Sequence, residues 1–239
     1  MSSTSRACAV ACALTLLVIG MPDVLAEKDD SPSMSRYRSA AVSESPLISG
    51  NTQSACSRPD TSALQAIVPV ATDHGSHATG VVYDNNRVLT AAHAITGGEQ
   101  YYARIGDVYR SADLVMLDTT NDLAVLAVDT QNLVPLHIAG FSPALQQPVW
   151  AVGYPRAQAV MTSSSGVLQD SEQGALHTSA SIESGQSGGG LLSCNDGVWE
   201  LLGMLRGYGT YLEDGRYVKL PNHSVSVAAA TINEFLLNF

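Results

Sequence analysis

From Ala63 onward the chain is built of short apolar runs broken by turn-forming residues. Runs of roughly four to eight residues, bounded by Gly, Pro, Asn or Asp, are the mark of β-strands. Ala63 to Val70 is the first candidate. Gly80 to Tyr83 and Arg87 to Thr90 flank Asp84-Asn85-Asn86 and predict a hairpin. Tyr101 to Ile105, Leu114 to Leu117 and Leu123 to Val128 follow at similar spacing. After Pro135 come Leu136 to Ala139, Val149 to Gly153, Gly166 to Leu168, Ala175 to Ala180, Leu191 to Ser193, Trp199 to Leu205 and Arg216 to Lys219. Many short strands with turns between them predict an all-β barrel or sandwich. The tail departs from this pattern. Between Ser226 and Leu237, the residues Val227, Ile232, Phe235 and Leu236 recur at roughly helical spacing, with Ser224 or Ser226 as a candidate cap.

The first sixty residues have a different texture. Arg6 supplies a weak positive start, Ala9 to Gly20 an apolar core, and Val24-Leu25-Ala26 a small-residue cleavage site, so residues 1–26 read as a secretory signal peptide. An uncleaved anchor is the alternative, but the apolar run is short against the ~20 residues that span a bilayer. Residues 27–62 are rich in Ser, Pro, Arg and Asp without a sustained period, and read as a pro-segment or flexible lead. Cys56 leaves a structured end to that lead open.

Composition narrows the classes. The 239 residues are 45% hydrophobic and 14% charged, ample for one large domain or two small ones. The formal net charge is −10, and loss of the signal peptide removes one Arg and one Asp, leaving it unchanged. That balance disfavours nucleic acid and anionic membrane surfaces as partners. No stable membrane association is expected after signal removal, and nothing demands more than a monomer. Of the four cysteines, Cys8 and Cys12 leave with the signal. Cys56 and Cys194 remain in a chain bound for an oxidising compartment, where a single disulfide is expected and two free thiols are the alternative. His74-x-x-His77 lacks a second pair of ligands, so no metal site is predicted, nor any cofactor.

Three local contexts carry chemistry. Ser184-Gly185-Gln186-Ser187-Gly188-Gly189-Gly190 sets a serine among glycines, ahead of the apolar Leu191-Leu192. Alone it is equally a turn between strands. Leu89-Thr90-Ala91-Ala92-His93 puts a histidine just after a strand, and Asn121-Asp122-Leu123-Ala124-Val125-Leu126 puts a carboxylate at the mouth of another. Each alone is more often structural. Together they give the order His93, Asp122, Ser187. A serine hydroxyl is a poor nucleophile unless an imidazole takes its proton, and an aspartate fixes that imidazole's tautomer. The amides of Gly185 and Ser187, turned to one point, would hold a developing oxyanion.

Thr90-Ala91-Ala92-His93, Asp122-Leu123-Ala124-Val125-Leu126 and Gly185-Gln186-Ser187-Gly188-Gly189 resemble the three signature blocks of trypsin-like (chymotrypsin-fold) serine proteases. The resemblance runs from about Ala63 to the C-terminus. It is nearest to the bacterial secreted and HtrA-like branches, through Gly153-Tyr154-Pro155 and the run Thr178 to Gly185. The fold it implies is two six-stranded antiparallel β-barrels, about 63–133 and 134–225, followed by a C-terminal helix over about 226–237. The triad would lie in the cleft between them. The activity it implies is hydrolysis of peptide bonds in polypeptide substrates through an acyl-enzyme, by an exported, secreted or periplasmic endopeptidase made as a zymogen. Gln186 departs from the family. Animal digestive trypsins carry an aspartate there, which pairs with the new N-terminus on activation, and only Ile48-Ser49-Gly50 faintly echoes the usual start. The chain ends after the helix, which leaves no room for a PDZ domain.

By the same resemblance Ser181, Ile182, Arg206, Gly207 and Tyr208 line the pocket for the residue before the scissile bond. Ser181 stands where a preference for Lys or Arg would require an acid. Leu205 stands where glutamate-specific relatives carry a histidine. Arg206 would bind an acidic side chain, or be an exposed arginine paired with Glu183. A small or apolar preference is the expectation. Gly207 and Gly209 would let a substrate strand approach. His74 and His77 lie on a loop bordering the leaving-group side. The alternative to a peptidase is a protease-fold binding protein with lost or latent catalysis. A lipase with a nucleophile elbow fails, because there the serine precedes the acid and the histidine.

Overall fold

The structure is a computed structural model that describes residues 56–157 and 160–238. The signal peptide, the greater part of the lead and Ile48-Ser49-Gly50 lie outside the described residues. The first element is a short helix, α1 (Thr61–Gln65), followed by strands β1 (Ile67–Thr72), β2 (His77–Asp84) and β3 (Arg87–Ala91). A four-residue helix, α2 (Ala92–Ile95), leads to β4 (Tyr101–Ile105), β5 (Val108–Asp118) and β6 (Leu123–Ala127). The second half holds β7 (Pro148–Gly153), β8 (Thr162–Glu172), β9 (Ala175–Thr178), β10 (Gly190–Asn195), β11 (Val198–Glu213), β12 (Arg216–Ala228) and the terminal helix α3 (Ala229–Leu237).

The strands close into two six-stranded antiparallel barrels, as the resemblance implied. Around the first the order is β1-β2-β3-β6-β5-β4, closed by β1 on β4. Around the second it is β7-β8-β9-β12-β11-β10, closed by β7 on β10. The cyclic order is the same in both, although no repeat is visible in the sequence. Closure leaves no unpaired sheet edge. Val70, Val81, Leu89, Val125 and Leu126 are buried in the first barrel, and Val149, Leu168, Leu176, Leu191 and Leu202 in the second. Val152, Leu201, Met204 and Val227 of the second barrel pack into the same apolar cluster as the first barrel's core, so the seam between the barrels is itself hydrophobic. Each such side chain contributes about 1.5–3 kcal/mol on burial.

Three sequence expectations change. Residues 63–65 are helical, and the strand begins at Ile67. The Asp60 carboxylate accepts from the Ala63 amide at 2.8 Å and caps α1, while pairing with β2 starts only at Ile67 opposite Val81. Leu136 to Ala139 is a strap rather than a strand, with a single parallel bridge between Ile138 and Leu201. Its amides are shared between the barrels: Leu136 donates to Val82 and Ala139 to Leu201. The terminal helix begins at Ala229, not Ser226. Ser224 and Ser226 are buried strand residues opposite Thr178 and Leu176, and neither caps the helix.

A disulfide joins Cys56 to Cys194 on β10. It fastens the end of the predicted lead to the second barrel. Closing a loop of that length is worth about 5 kcal/mol in the chain-entropy account.

Candidate active site

His93 sits in α2, directly after β3, and its position is set by the backbone of the β5–β6 turn. The Ala92 amide donates to the Asp122 carbonyl at 3.2 Å, and the His93 amide to Asp122 Oδ1 at 2.8 Å. Ser76 Oγ donates to the Ala94 carbonyl and holds the other side of the helix. Asp122 adopts a φ of 61°, a left-handed conformation that Asp and Asn tolerate better than other side chains. The turn that imposes it is organised by Asp118, whose carboxylate accepts from the amides of Thr120 and Asn121 and from the Asn121 side chain.

The imidazole meets the carboxylate through Nδ1, 2.8 Å from Oδ2 and 3.0 Å from Oδ1 of Asp122. Only 6% of the Asp122 side chain is exposed, against 51% of His93. Burial pushes the Asp122 carboxyl up. Hydrogen bonds from the His93 side chain and amide, then the charges of His93 and Arg206, outweigh it and hold the group below the usual aspartate value. An ionised carboxylate can only accept, so Nδ1 is the donor to it, and in the neutral ring Nε2 is left as an acceptor.

Ser187 lies on the β9–β10 connection of the other barrel. It and His93 line one cleft of about 420 Å³, together with His77, Ile182, Arg206 and Tyr208. Serine and imidazole share the cleft without a hydrogen bond between them. Ser187 Oγ instead donates to the Arg206 carbonyl at 3.4 Å. The loop before it contains a turn closed by the Gln186 amide on the Glu183 carbonyl at 3.1 Å, with Gly185 at φ 94° in its third position. A side chain on Gly185 would meet the Arg156 amide at 2.6 Å, and one on Gly188, at φ 84°, the Thr79 carbonyl at 2.1 Å. Glycine is therefore required at both places. Among the described residues the amides of Gly185 and Ser187 make no hydrogen bond.

Gln186, the departure from the trypsin pattern, is buried, and each polar atom of its amide has a partner. Its Oε1 accepts from the Glu183 amide at 2.7 Å and its Nε2 donates to Thr162 Oγ1 at 3.2 Å. A neutral amide thus braces the turn locally, without a charged partner. Thr79 braces it from the first barrel. Its hydroxyl donates to the Gly185 carbonyl and accepts from the Tyr154 amide, each at 2.9 Å, and its own amide donates to the Ser187 carbonyl at 2.9 Å. Thr90 in turn donates to the Thr79 carbonyl. Sequence inspection missed Thr79, which sits 106 residues from Gly185 and has no local signature.

The predicted pocket residues divide. Ile182 and Tyr208 line the cleft, and the Tyr208 hydroxyl faces Ser184 Oγ at 3.5 Å. Ser181 does not line it; its hydroxyl is turned to Asn222. Arg206 pairs with Asp122, Nε to Oδ2 at 3.5 Å, rather than with Glu183, which is held by Arg156. A bulge makes Arg206 the extra residue between the pairs Leu205–Ser226 and Gly207–Val225, which turns its side chain toward the neighbouring barrel. Gly207 is open to the cleft, whereas the space beside Gly209 is filled by His223. His77 lines the cleft, and exposed His74 pairs loosely with Asp73 at 3.8 Å. Among the described residues no three His, Cys, Asp or Glu side chains converge as a metal site would require.

Comparison with known proteins bears on the family and the fold. A sequence model of the trypsin-like peptidase domain matches residues 78–204. The serine proteases MT3772 and Rv3671c, from two strains of Mycobacterium tuberculosis, are 25% identical over 209 residues, covering 82% of this chain and 50% of theirs. The chain therefore spans about half the length of the curated relatives it matches. The solved serine endoprotease of Yersinia pestis is similar with a TM-score of 0.64 and 25% identity, over 76% of this chain and 67% of that one. The inactive form of the Rv3671c protease shares the fold, with a TM-score of 0.62 and 22% identity over 74% of this chain and 89% of that one.

Proposed function

The chain belongs to the trypsin-like peptidase family, and we propose that it is an exported serine endopeptidase working through Ser187, His93 and Asp122. The observation that carries this reading is that the His93 imidazole, which shares a cleft with Ser187, is paired on its far side with a buried, ionised Asp122. Ser187 Oγ turns from the Arg206 carbonyl to His93 Nε2 and attacks the scissile carbonyl carbon as Nε2 takes its proton. The carbonyl oxygen becomes an oxyanion facing the free amides of Gly185 and Ser187. Collapse breaks the carbon–nitrogen bond, and the imidazolium returns the proton to the departing amine. Water, activated by the same imidazole, then hydrolyses the ester and restores Ser187. Apo geometry commonly tightens only when substrate arrives, so the absent serine–histidine bond is compatible with this chemistry.

Export is supported by the disulfide, since such bonds persist in oxidising compartments, and by the predicted signal peptide. Among the described residues no helix is long and apolar enough to cross a membrane. A polypeptide is the proposed substrate, with any part of the lead removed during maturation lying before Cys56, which the disulfide holds to the body.

The second reading, a protease-fold binding protein with latent catalysis, draws on the serine hydroxyl resting on Arg206. Peptide-library digestion by the mature protein and by Ser187→Ala separates the two. Cuts that require Ser187 are expected. A folded mature protein that makes none, and that a serine-directed fluorophosphonate leaves unlabelled, would favour the binding protein.

A further inference from the structure

Arg206, Arg110 and Arg156 each have a carboxylate partner, Asp122, Asp129 and Glu183 respectively. Lys219 does not. It lies on β12, where pairing with β11 resumes at Thr210 after the irregular stretch Leu220 to His223. Its side chain is half-buried and runs back toward the cleft. The ammonium donates to the Ile182 carbonyl and sits 4.9 Å from the centre of the Tyr208 ring. Both of those residues line the cleft that holds Ser187 and His93, so Lys219, which does not itself line it, reaches it through their walls.

An ammonium offers three donors, and one of them is spent on Ile182. The ring supplies a further attraction but no counter-charge. Among the described residues no carboxylate lies within ion-pairing distance of Lys219, in a chain whose formal net charge is −10. A half-buried cation without its counter-ion, touching two walls of the cleft, is complementary to a carboxylate brought from outside. Arg206 is less suited to that role, because Asp122 already occupies it. We propose that Lys219 is the specificity determinant of the site and selects an acidic side chain, Glu or Asp, immediately before the scissile bond. This rests on the endopeptidase reading and replaces the small or apolar preference expected from the pocket residues alone.

The competing role for Lys219 is that of a strut bracing Ile182 against Tyr208. A strut would affect all substrates alike, whereas a selector changes their ratio. The test is a pair of otherwise identical peptides with Glu or its isostere Gln before the cut, chosen from a library digest, with kcat/KM measured for wild type, Lys219→Met and Lys219→Arg. Wild type should favour Glu by about ten-fold or more, Lys219→Met should erase the ratio, and Lys219→Arg should keep most of it. Wild-type cleavage without acidic preference overturns the inference and leaves the peptidase standing. A ratio that survives in Lys219→Met, with both rates reduced together, assigns the strut. Should Lys219→Met fail to fold, the wild-type Glu-to-Gln ratio and Lys219→Arg still decide. No Ser187-dependent cut anywhere in the library overturns the endopeptidase reading, and this inference with it.

Discussion

The two barrels share one strand order but divide the work differently. In the first, the connection after the third strand carries His93 and the turn between the fifth and sixth carries Asp122. In the second, the connection after the third strand carries Ser187, while the fifth and sixth strands lengthen to 16 and 13 residues and project as an exposed hairpin beyond the barrel. The first barrel therefore presents a pair already bonded around a buried charge. The second presents a hydroxyl on a glycine loop and the cleft walls, with bulges and positive-φ residues throughout. On the proposed reading, one topology holds the acid–base pair and, in its other copy, the nucleophile and much of the cleft wall. The difference lies in loop content, not in strand order.

Substitutions should break this division in a graded way. Ser187→Ala is the largest: kcat should fall by on the order of 10⁴-fold or more, with the melting temperature unchanged. Asp122→Asn should follow, with a loss on the order of 10³–10⁴-fold read as kcat/KM, because an amide no longer dictates the imidazole tautomer. Replacing Cys56 and Cys194 together by serine should cost about 5 kcal/mol in denaturant unfolding, and at most a little in activity measured on the folded fraction. Thr79→Val should be milder in stability, about 1–3 kcal/mol for leaving the Gly185 carbonyl and Tyr154 amide without partners. It should lower kcat more than it raises KM, since the loop it braces carries the proposed oxyanion amides. A KM effect alone would remove Thr79 from the positioning role.

The smallest effect is one of stability, present at neutral pH and lost in acid. The Asp122 carboxyl is held below the ordinary aspartate value of 3.8. Its contribution to folding is complete above that value and is lost as pH falls through the lowered folded one. Melting curves between pH 6 and 2 should show the gap between wild type and Asp122→Asn closing below pH 3.8. A gap that stays constant would mean that the carboxylate's charge is not what stabilises the fold.

What the sequence disclosed was whatever is written locally. The blocks around His93, Asp122 and Ser187 are each a few residues long, and their flanking runs are apolar, so a strand-rich fold was legible from the pattern and the two closed barrels from the family those blocks resemble. Long-range roles could not. Thr79 looks like any strand threonine until its partners, 75 and 106 residues away, come alongside. Arg206 was placed in the pocket, and only a bulge reveals that its guanidinium reaches Asp122. Leu136 to Ala139 shows the converse. An apolar run reports burial, and this one buries Leu136 and Ala139 without being paired along its length. Ser224 and Ser226 were ambiguous for a chemical reason, because a serine that can cap a helix can equally be buried in a strand, as when the Ser224 hydroxyl meets Thr178.

Thr79 has one more consequence. It belongs to the second strand of the first barrel, yet its hydroxyl and amide fasten both residues that frame the proposed oxyanion amides in the second. If the halves separate, the nucleophile loop loses its brace at the same moment that His93 leaves its neighbourhood. On the endopeptidase reading, cleavage would thereby be interlocked with complete assembly, and a partly folded or heat-damaged copy would be harmless to its neighbours without any inhibitor.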